Sequence, residues 1–366
     1  MNKWISAWVK NNYANAKRDL CTCFVDRGFT LANDRGHISM ITASSWMFIS
    51  SFEEFRKSLL RRSSITSMIQ QSTHGYAGVT VPTTMFVLAE GAQGVTGTYI
   101  RLEDFDRPQW QEPRALEALA DPDCGWFYRR NSETFAAIPG TPIVYWVSNA
   151  ITAAFRKGIP VSEIGQPRQG LATGENARFV RQWWEVSLNR EWFECSSIEE
   201  SVCSGKKWFP YNKGGEYRKW YGNNEWVINW KNDGEDVRAF SGSVIRNPQC
   251  YFKPSITWSK ISSGSIAFRY KPKGHVFDVA GTSIFASEEE LKYLHGVCNS
   301  AVILKIAKML SPTLNFEVGQ IATYPVIRDD SSFDEVVSLV EELRLRSRQD
   351  WDSFEESWNF GRHPLI

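Results

Sequence analysis

The chain has 366 residues, enough at about 150 residues per domain for roughly two domains, each with a sizeable hydrophobic core. Its composition, 42% hydrophobic and 23% charged, is that of a globular protein and excludes general disorder. With 42 Lys plus Arg against 41 Asp plus Glu, the net charge of +1 argues, taken whole, against a strongly basic nucleic-acid binder.

Residues 1–90 read as alternating helix and strand. Leu20, Phe24, Val25 and Leu31 fall at helical spacing, and Asn33 to Gly36 stops the run. His37 to Thr42 is a short buried strand. Phe52, Phe55, Leu59 and Leu60 mark a second helix, with Ser50 or Ser51 as its N-cap. Ile65 to Ile69 and Thr83 to Leu88 are two further strands around a Gly-, Ser- and Thr-rich loop. Residues 91–165 hold six prolines and read as a connecting region, with Thr141 to Trp146 its most strand-like piece. Residues 166–328 are rich in glycine, aromatics and turns. Trp226 to Trp230, Ser265 to Tyr270 and His275 to Val279 are its strand candidates, and Asp233-Gly234 and Lys273-Gly274 its turns. A helix from Glu288 to about Met309 carries the apolar stripe Leu291, Leu294, Val297, Cys298, Ala301 and Leu304, and Pro312 blocks it. Residues 329–366 read as an acidic helical tail with Val336, Val337, Leu339, Val340 and Leu343 as its apolar positions.

The near-zero charge conceals a division. Ser201 to His275 contains 13 Lys or Arg and 5 Asp or Glu, a local charge of +8, whereas Asp329 to Ile366 carries −6. The basic segment also holds 14 aromatics. Cations interleaved with aromatics suit phosphate contact and base stacking, and equally suit a β-rich domain with core Trp and solvated Lys. Lys206-Lys207-Trp208-Phe209 and Arg218-Lys219-Trp220-Tyr221 are the densest examples.

Chemistry-bearing motifs are sparse. The loop Gly170 to Phe179 offers Thr173, Gly174, Asn176 and Arg178 as donors or close-approach points for a polyanion; a capped tight turn is the plain alternative. Val276 to Ser283 has the strand-then-loop character of a cofactor site but lacks the second glycine such a loop needs. Asp278, Glu290 and Lys292 mimic a metal-dependent nuclease, yet Glu290 and Lys292 open a helix and diverge by about 200°. No metal site is expected. The seven cysteines include no C-x-x-C pair, and the histidines no H-E-x-x-H. No apolar run approaches a membrane span or a signal-peptide core. A reducing, cytoplasmic setting without membrane contact is expected.

One stretch is specific enough to suggest kinship: Lys207-Trp208-Phe209-Pro210-Tyr211-Asn212-Lys213-Gly214-Gly215-Glu216-Tyr217-Arg218-Lys219-Trp220-Tyr221-Gly222-Asn223-Asn224. It resembles the PglX family, the adenine-specific DNA methyltransferases of BREX phage-defence systems. Met40 to Phe48 resembles the family's strand after the catalytic motif. Gly170 to Phe179 with Trp184-Glu185-Val186-Ser187 resembles its T-G-x-N-x-R-F block. Pro312 to Gly319 and Trp351 to Pro364 match in the same order.

The resemblance implies an α/β plus α+β architecture. The C-terminal half of a Rossmann-like methyltransferase sheet (1–90) is followed by the connecting region (91–165), a mixed, β-rich target-recognition domain (166–328) and the helical tail (329–366). It implies double-stranded DNA as partner, contacted by Thr173, Gly174, Asn176, Arg178, Lys206, Lys207, Lys213, Arg218, Lys219, Trp220, Tyr221 and Asn223. Tyr76 is placed as a wall for the flipped base. The family uses S-adenosylmethionine. This chain has neither the family's glycine-rich donor loop nor N-P-P-Y; its one Asn-Pro, Asn247-Pro248, continues as Gln249-Cys250. Amine methylation needs donor, amine acceptors and stacking wall in one pocket. The chain alone is therefore expected not to bind S-adenosylmethionine or methylate DNA, and no residue is assigned as catalytic. Three readings remain: a methyltransferase portion supplying target recognition, a stand-alone DNA-binding or interaction module, and one half of a split enzyme completed by a separately encoded N-terminal half. Other BREX components are further partners the resemblance allows.

Overall fold

The computed structural model describes residues 1–262, 264–311 and 315–365. Pro312, the expected helix block, lies outside them, as does the start of the Pro312 to Gly319 match. The chain divides into two compact units, Met1–Arg156 and Lys157–Ile366.

The first unit runs α1 (Lys3–Asn12), α2 (Leu20–Leu31), β1 (His37–Ala43), α3 (Glu53–Arg62), β2 (Ser63–Gln70), β3 (Thr83–Glu90), β4 (Thr96–Arg101), α4 (Pro108–Ala120), β5 (Phe127–Asn131) and α5 (Asn149–Lys157), which crosses the boundary by one residue. Its sheet has the order β1-β3-β2-β4-β5. β3 is antiparallel to both β1 and β2, β4 is parallel to β2, and β5 is antiparallel to β4. The helix and three strands read from residues 20–88 are present. Ser50 and Ser51 form a short 3-10 turn, and Phe52 precedes α3 without a side-chain cap.

β4 and β5 lie in the stretch read as connecting, yet they extend this sheet. A Cβ at Gly97 would sit 2.1 Å from the Ile65 carbonyl oxygen, so glycine lets β4 approach β2. Thr141 to Trp146 is not a strand. Its Ile143, Val144 and Tyr145 are buried, and Tyr145 stacks on Tyr99 at 4.7 Å and donates its hydroxyl to Gln70 Oε1 at 2.9 Å. Fully buried Arg56 caps the surrounding carbonyls, donating to Trp46 O (2.7 Å), Ile49 O (2.8 Å), Thr141 O (3.0 Å) and Gly140 O (2.6 Å). Burial lowers its guanidinium to about 10.

The second unit begins with β6 (Ile159–Pro160), α6 (Val161–Ile164), β7 (Gln166–Arg168), α7 (Asn176–Phe179), β8 (Val180–Gln182), α8 (Ile198–Cys203), β9 (Trp208–Asn212) and β10 (Trp226–Asn229). It continues with α9 (Lys231–Ala239), β11 (Ser255–Trp258), β12 (Phe268–Lys271), β13 (Val276–Phe277) and β14 (Ser283–Phe285). It closes with α10 (Glu288–Asn299), α11 (Ala301–Leu310), α12 (Val318–Ala322), β15 (Pro325–Val326) and α13 (Phe333–Trp351). Two four-stranded sheets, β13-β9-β10-β8 and β12-β11-β14-β7, and the β15-β6 pair make a mixed α/β unit rich in short strands. Buried Asn212 at the end of β9 ties the two sheets together. Its amide donates to Thr257 Oγ1 (2.8 Å), Gly281 O (2.8 Å) and Ser283 Oγ (3.2 Å).

The long helix read from Glu288 onward is broken at Ser300, whose backbone is extended (ψ 151) and whose side chain caps α11. Asp233-Gly234 turns inside α9, where Asn232, Asp233 and Gly234 all adopt left-handed conformations. α13 packs on α10 where Gly296 has no side chain; a Cβ there would meet Val340 at 3.0 Å and Val336 at 3.1 Å. Val340 is buried, whereas Leu339, Leu343 and Leu345 stay exposed. No described helix is long and apolar enough to cross a membrane.

Candidate nucleic-acid interface

The basic segment does not present all its cations to solvent. Arg269 and Lys271 are 1% and 0% exposed. Lys271 Nζ donates to the carbonyls of Gly222 (3.0 Å) and Asn223 (2.6 Å) and to Asn224 Oδ1. Burial holds its amine well below the usual lysine range. Arg269 donates to Ser259 Oγ at 3.1 Å and, at longer range, to the carbonyls of Glu216 and Arg218. Burial lowers Arg269 to about 10. Both cations stabilise loop carbonyls, an arrangement a charge count does not reveal.

The 207–224 stretch is divided in the same way. Phe209, Tyr211 and Tyr221 are core side chains. The Tyr211 hydroxyl donates to Asp278, which also accepts from Ala280 N at 2.7 Å. Asn223 is buried and donates to Glu216 O at 2.9 Å. Trp220 adopts φ 72 and lies 5.0 Å from the His295 ring. Lys219 Nζ donates to Asn299 O at 3.2 Å. Arg218 pairs with Asp350 at 3.1 Å and covers the Trp351 ring. Ser347 Oγ on α13 donates to Lys219 O at 3.0 Å. Thus Arg218, Lys219, Trp220, Tyr221 and Asn223 face α10, α13 or their own loop.

Lys206, Lys207 and Lys213 are half-buried along their stems. Lys206 Nζ reaches Asn189 O (2.5 Å), while Lys207 and Lys213 lie over Trp208 (5.2 Å) and Trp226 (4.2 Å). The last two are cation–π pairs with ammonium groups free of ion-pair partners among the described residues. Arg178 is exposed on α7 and rests on Phe179 and Phe240.

The glycines of the 170–179 loop approach protein rather than an open surface. A Cβ at Gly170 would lie 1.9 Å from Phe277 O, and one at Gly174 (φ +73) 2.4 Å from Gly242 O. Thr173 Oγ1 donates to Asn176 Oδ1 at 2.6 Å, so the Thr173 hydroxyl is taken up inside the loop. Asp278, Glu290 and Lys292 do not converge: Glu290 pairs with Arg328 (2.7 Å) and Lys292 with Glu341. The Val276–Ser283 loop has no room for a methyl donor, since a Cβ at Gly281 would already meet Asn212 O at 2.1 Å and Asp278 is held by Tyr211 and Ala280. The residues there do not fit S-adenosylmethionine.

In the first unit Tyr76 is 37% exposed and lines a cleft of about 420 Å³ with Ile69, Met85, Leu102 and Gln111. Its loop is anchored by the preceding His74, whose Nδ1 and backbone N meet Asp106 at 2.8 and 3.0 Å. The His74 hydrogen bonds lower the Asp106 carboxyl. Missed by sequence reasoning were Gln111, with its Oε1 buried and unpartnered among the described residues, and the buried pair Arg269 and Lys271. Alternation places Arg269 and Lys271 on one face of β12, but nothing local marks that face as buried.

Residues 1–75 match the Eco57I restriction-modification methylase family. The whole chain is 38% identical to adenine-specific methyltransferase PglX of Lacticaseibacillus casei (strain Zhang), covering 31% of that protein. It is 32% identical to adenine-specific methyltransferase BrxX of Escherichia coli O9:H4 (strain HS), covering 29% of it. Among solved structures, the fold is similar to the type IIL restriction-modification enzyme MmeI in complex with DNA (TM-score 0.58, 12% identity, 99% of this chain and 49% of that one). It is also similar to the DrdV–DNA complex (TM-score 0.50, 9% identity, 95% and 42%). The chain thus spans about a third of the length of the curated relatives it matches. By sequence the chain is similar over its whole length to the PglX-type adenine-specific methyltransferases.

Proposed function

We propose that this chain supplies the DNA target-recognition part of an adenine-specific, S-adenosylmethionine-dependent methyltransferase of a BREX-type phage-defence system, and that it does not methylate DNA alone. The observation that supports this best is full-length similarity to under a third of each methyltransferase relative, in a chain without donor loop or N-P-P-Y. On this reading the first unit is the later half of a Rossmann-like sheet. DNA is gripped by the second unit through Lys206, Lys207, Lys213 and Arg178, with Tyr76 as a wall for the flipped adenine. The DNA complexes of the structural relatives MmeI and DrdV support duplex DNA as the partner.

The test is duplex binding by the purified chain across a salt series. Binding that weakens with salt, with the slope reduced by about one for each phosphate-contacting lysine changed to Gln, supports the reading. No binding at low salt rejects it. Methyl transfer from S-adenosylmethionine by the chain alone rejects the inactivity.

A second reading has its own observation. β1 is the edge of its sheet, and Ile41 on it is 57% exposed, with Phe24 and Leu31 of α2 also exposed. Such an edge is a template for a further strand. On this reading a separately supplied methyltransferase half, carrying the donor loop, pairs at β1. Co-purification of the two halves, abolished by Ile41→Pro, would support it, and co-expressed halves that separate as monomers would exclude it.

A further inference from the structure

The Gly214 to Tyr217 loop is held with unusual firmness for an exposed turn. Gly214 (φ +87) and Gly215 (φ +122) reverse the chain in conformations other residues rarely adopt. A Cβ at Gly215 would meet the Asn223 amide at 2.6 Å, so the loop lies tightly on that side chain. Its carbonyls are bound from beneath. Ser259 Oγ donates to Gly215 O at 2.7 Å, and Asn223 Nδ2 donates to Glu216 O at 2.9 Å. The buried Arg269 guanidinium adds bonds to Glu216 O at 3.4 Å and Arg218 O at 3.5 Å.

The side chains carried by this anchored backbone point the other way. Tyr217 is 56% exposed, and the Glu216 carboxylate has no ion-pair partner among the described residues although its segment carries a charge of +8. Tyr217 lines a cleft of about 600 Å³ that Ile261, 64% exposed, also lines. A rigid loop that leaves an aromatic ring and a carboxylate unpartnered is preorganised for an external ligand with a flat apolar face and an amine edge.

We infer that this loop reads DNA sequence: Tyr217 packs against a base, and the Glu216 carboxylate accepts a hydrogen bond from an exocyclic amine of cytosine or adenine. The inference rests on the DNA-binding reading above and adds the source of discrimination. A carboxylate near phosphates opposes non-specific binding, and is retained where it rejects bases that present an acceptor instead of an amine. The lysines supply affinity; Glu216 and Tyr217 supply selectivity.

The experiment is selection of a randomised duplex pool by the purified full chain, by Glu216→Gln and by Tyr217→Ala, with non-specific affinity and its salt slope measured in parallel. Both positions are exposed, and melting curves matching the parent's establish folding. The parent is expected to enrich a sequence. Glu216→Gln is expected to relax one position of it while binding non-specific duplex at least as well. Tyr217→Ala is expected to lose roughly 5- to 150-fold on the selected site with the salt slope unchanged. If both variants enrich the parent's sequence equally well, or the parent binds duplex without preference, this inference falls and DNA binding stands. If the parent binds no duplex at low salt, both fall.

Discussion

The guanidinium of Arg218 lies 5.0 Å from the centre of the Trp351 indole, joining the basic segment to the acidic tail. Trp351 is 4% exposed at the end of α13, so the tail is part of the second unit's packing. Trp351→Ala should cost about 3–5 kcal/mol. Arg218→Lys, which keeps charge but not the flat cation, should cost about 1 kcal/mol. Urea unfolding followed by tryptophan fluorescence, referenced to Trp351→Phe, checks both.

Lys271→Met should destabilise far more than any change to an exposed lysine. It removes the donor that satisfies Gly222 O, Asn223 O and Asn224 Oδ1 inside the unit. Leaving such acceptors unpaired costs about 1–3 kcal/mol each. Lys207→Gln, which lacks such partners, should leave the melting temperature within a degree or two and alter only the salt dependence of binding. Differential scanning calorimetry of the two variants decides between these roles.

Gly170→Ala should behave as a folding defect. The added methyl would collide with the Phe277 carbonyl, a backbone group that cannot rotate away. A lowered melting temperature accompanying any loss of binding is the expected result. Arg178→Gln should affect binding without that loss.

Acid should loosen the α10–α13 junction. The His295 imidazole is buried, with Nδ1 accepting from Arg344 Nε at 2.8 Å and Nε2–H donating to Phe268 O at 3.0 Å. Burial foremost, and then the Arg344 charge, lowers this histidine from 6.5 to about 3. Between those values the unfolded chain binds a proton that the folded chain refuses. The contribution of neutral His295 is therefore complete above about pH 6.5 and is lost as the pH falls toward 3. Glu191 acts in the opposite sense. Burial without hydrogen-bond partners among the described residues raises its carboxyl to about 7, so its contribution is lost as the pH rises through that value. His295→Gln should flatten the acid limb of a stability–pH profile, and Glu191→Gln the limb between about 4.5 and 7.

Elements with a strong period are legible in the sequence. The helix from Leu20 to Leu31 and the strands around His37, Ile65 and Thr83 combine apolar periodicity with clear stops, so local preference and burial agree. β4 was not legible, because Gly97 weakens the strand preference of the residues around it and is accommodated only where it lies against Ile65. Thr141 to Trp146 has strand propensity without a sheet to join; burial against Tyr99 and the Arg56 donors satisfy it instead. At Ser300 a competent N-cap interrupts an apolar stripe that runs on unbroken.

The candidate interface divides in the same manner. The sequence alone determined that cations and aromatics concentrate between Ser201 and His275, and that the 207–224 stretch resembles the PglX family. Only the tertiary structure decided which of those groups remain available. Arg269 and Lys271 turned inward to bind loop carbonyls, and Arg218 was taken up by a helix 132 residues further along the chain. Glu216 and Tyr217 were left outside on an anchored turn. The reason is physical: charge and aromaticity belong to a residue wherever it lies. Burial and partnership depend on which distant backbone folds against it, and here β12, α10 and α13 made that choice.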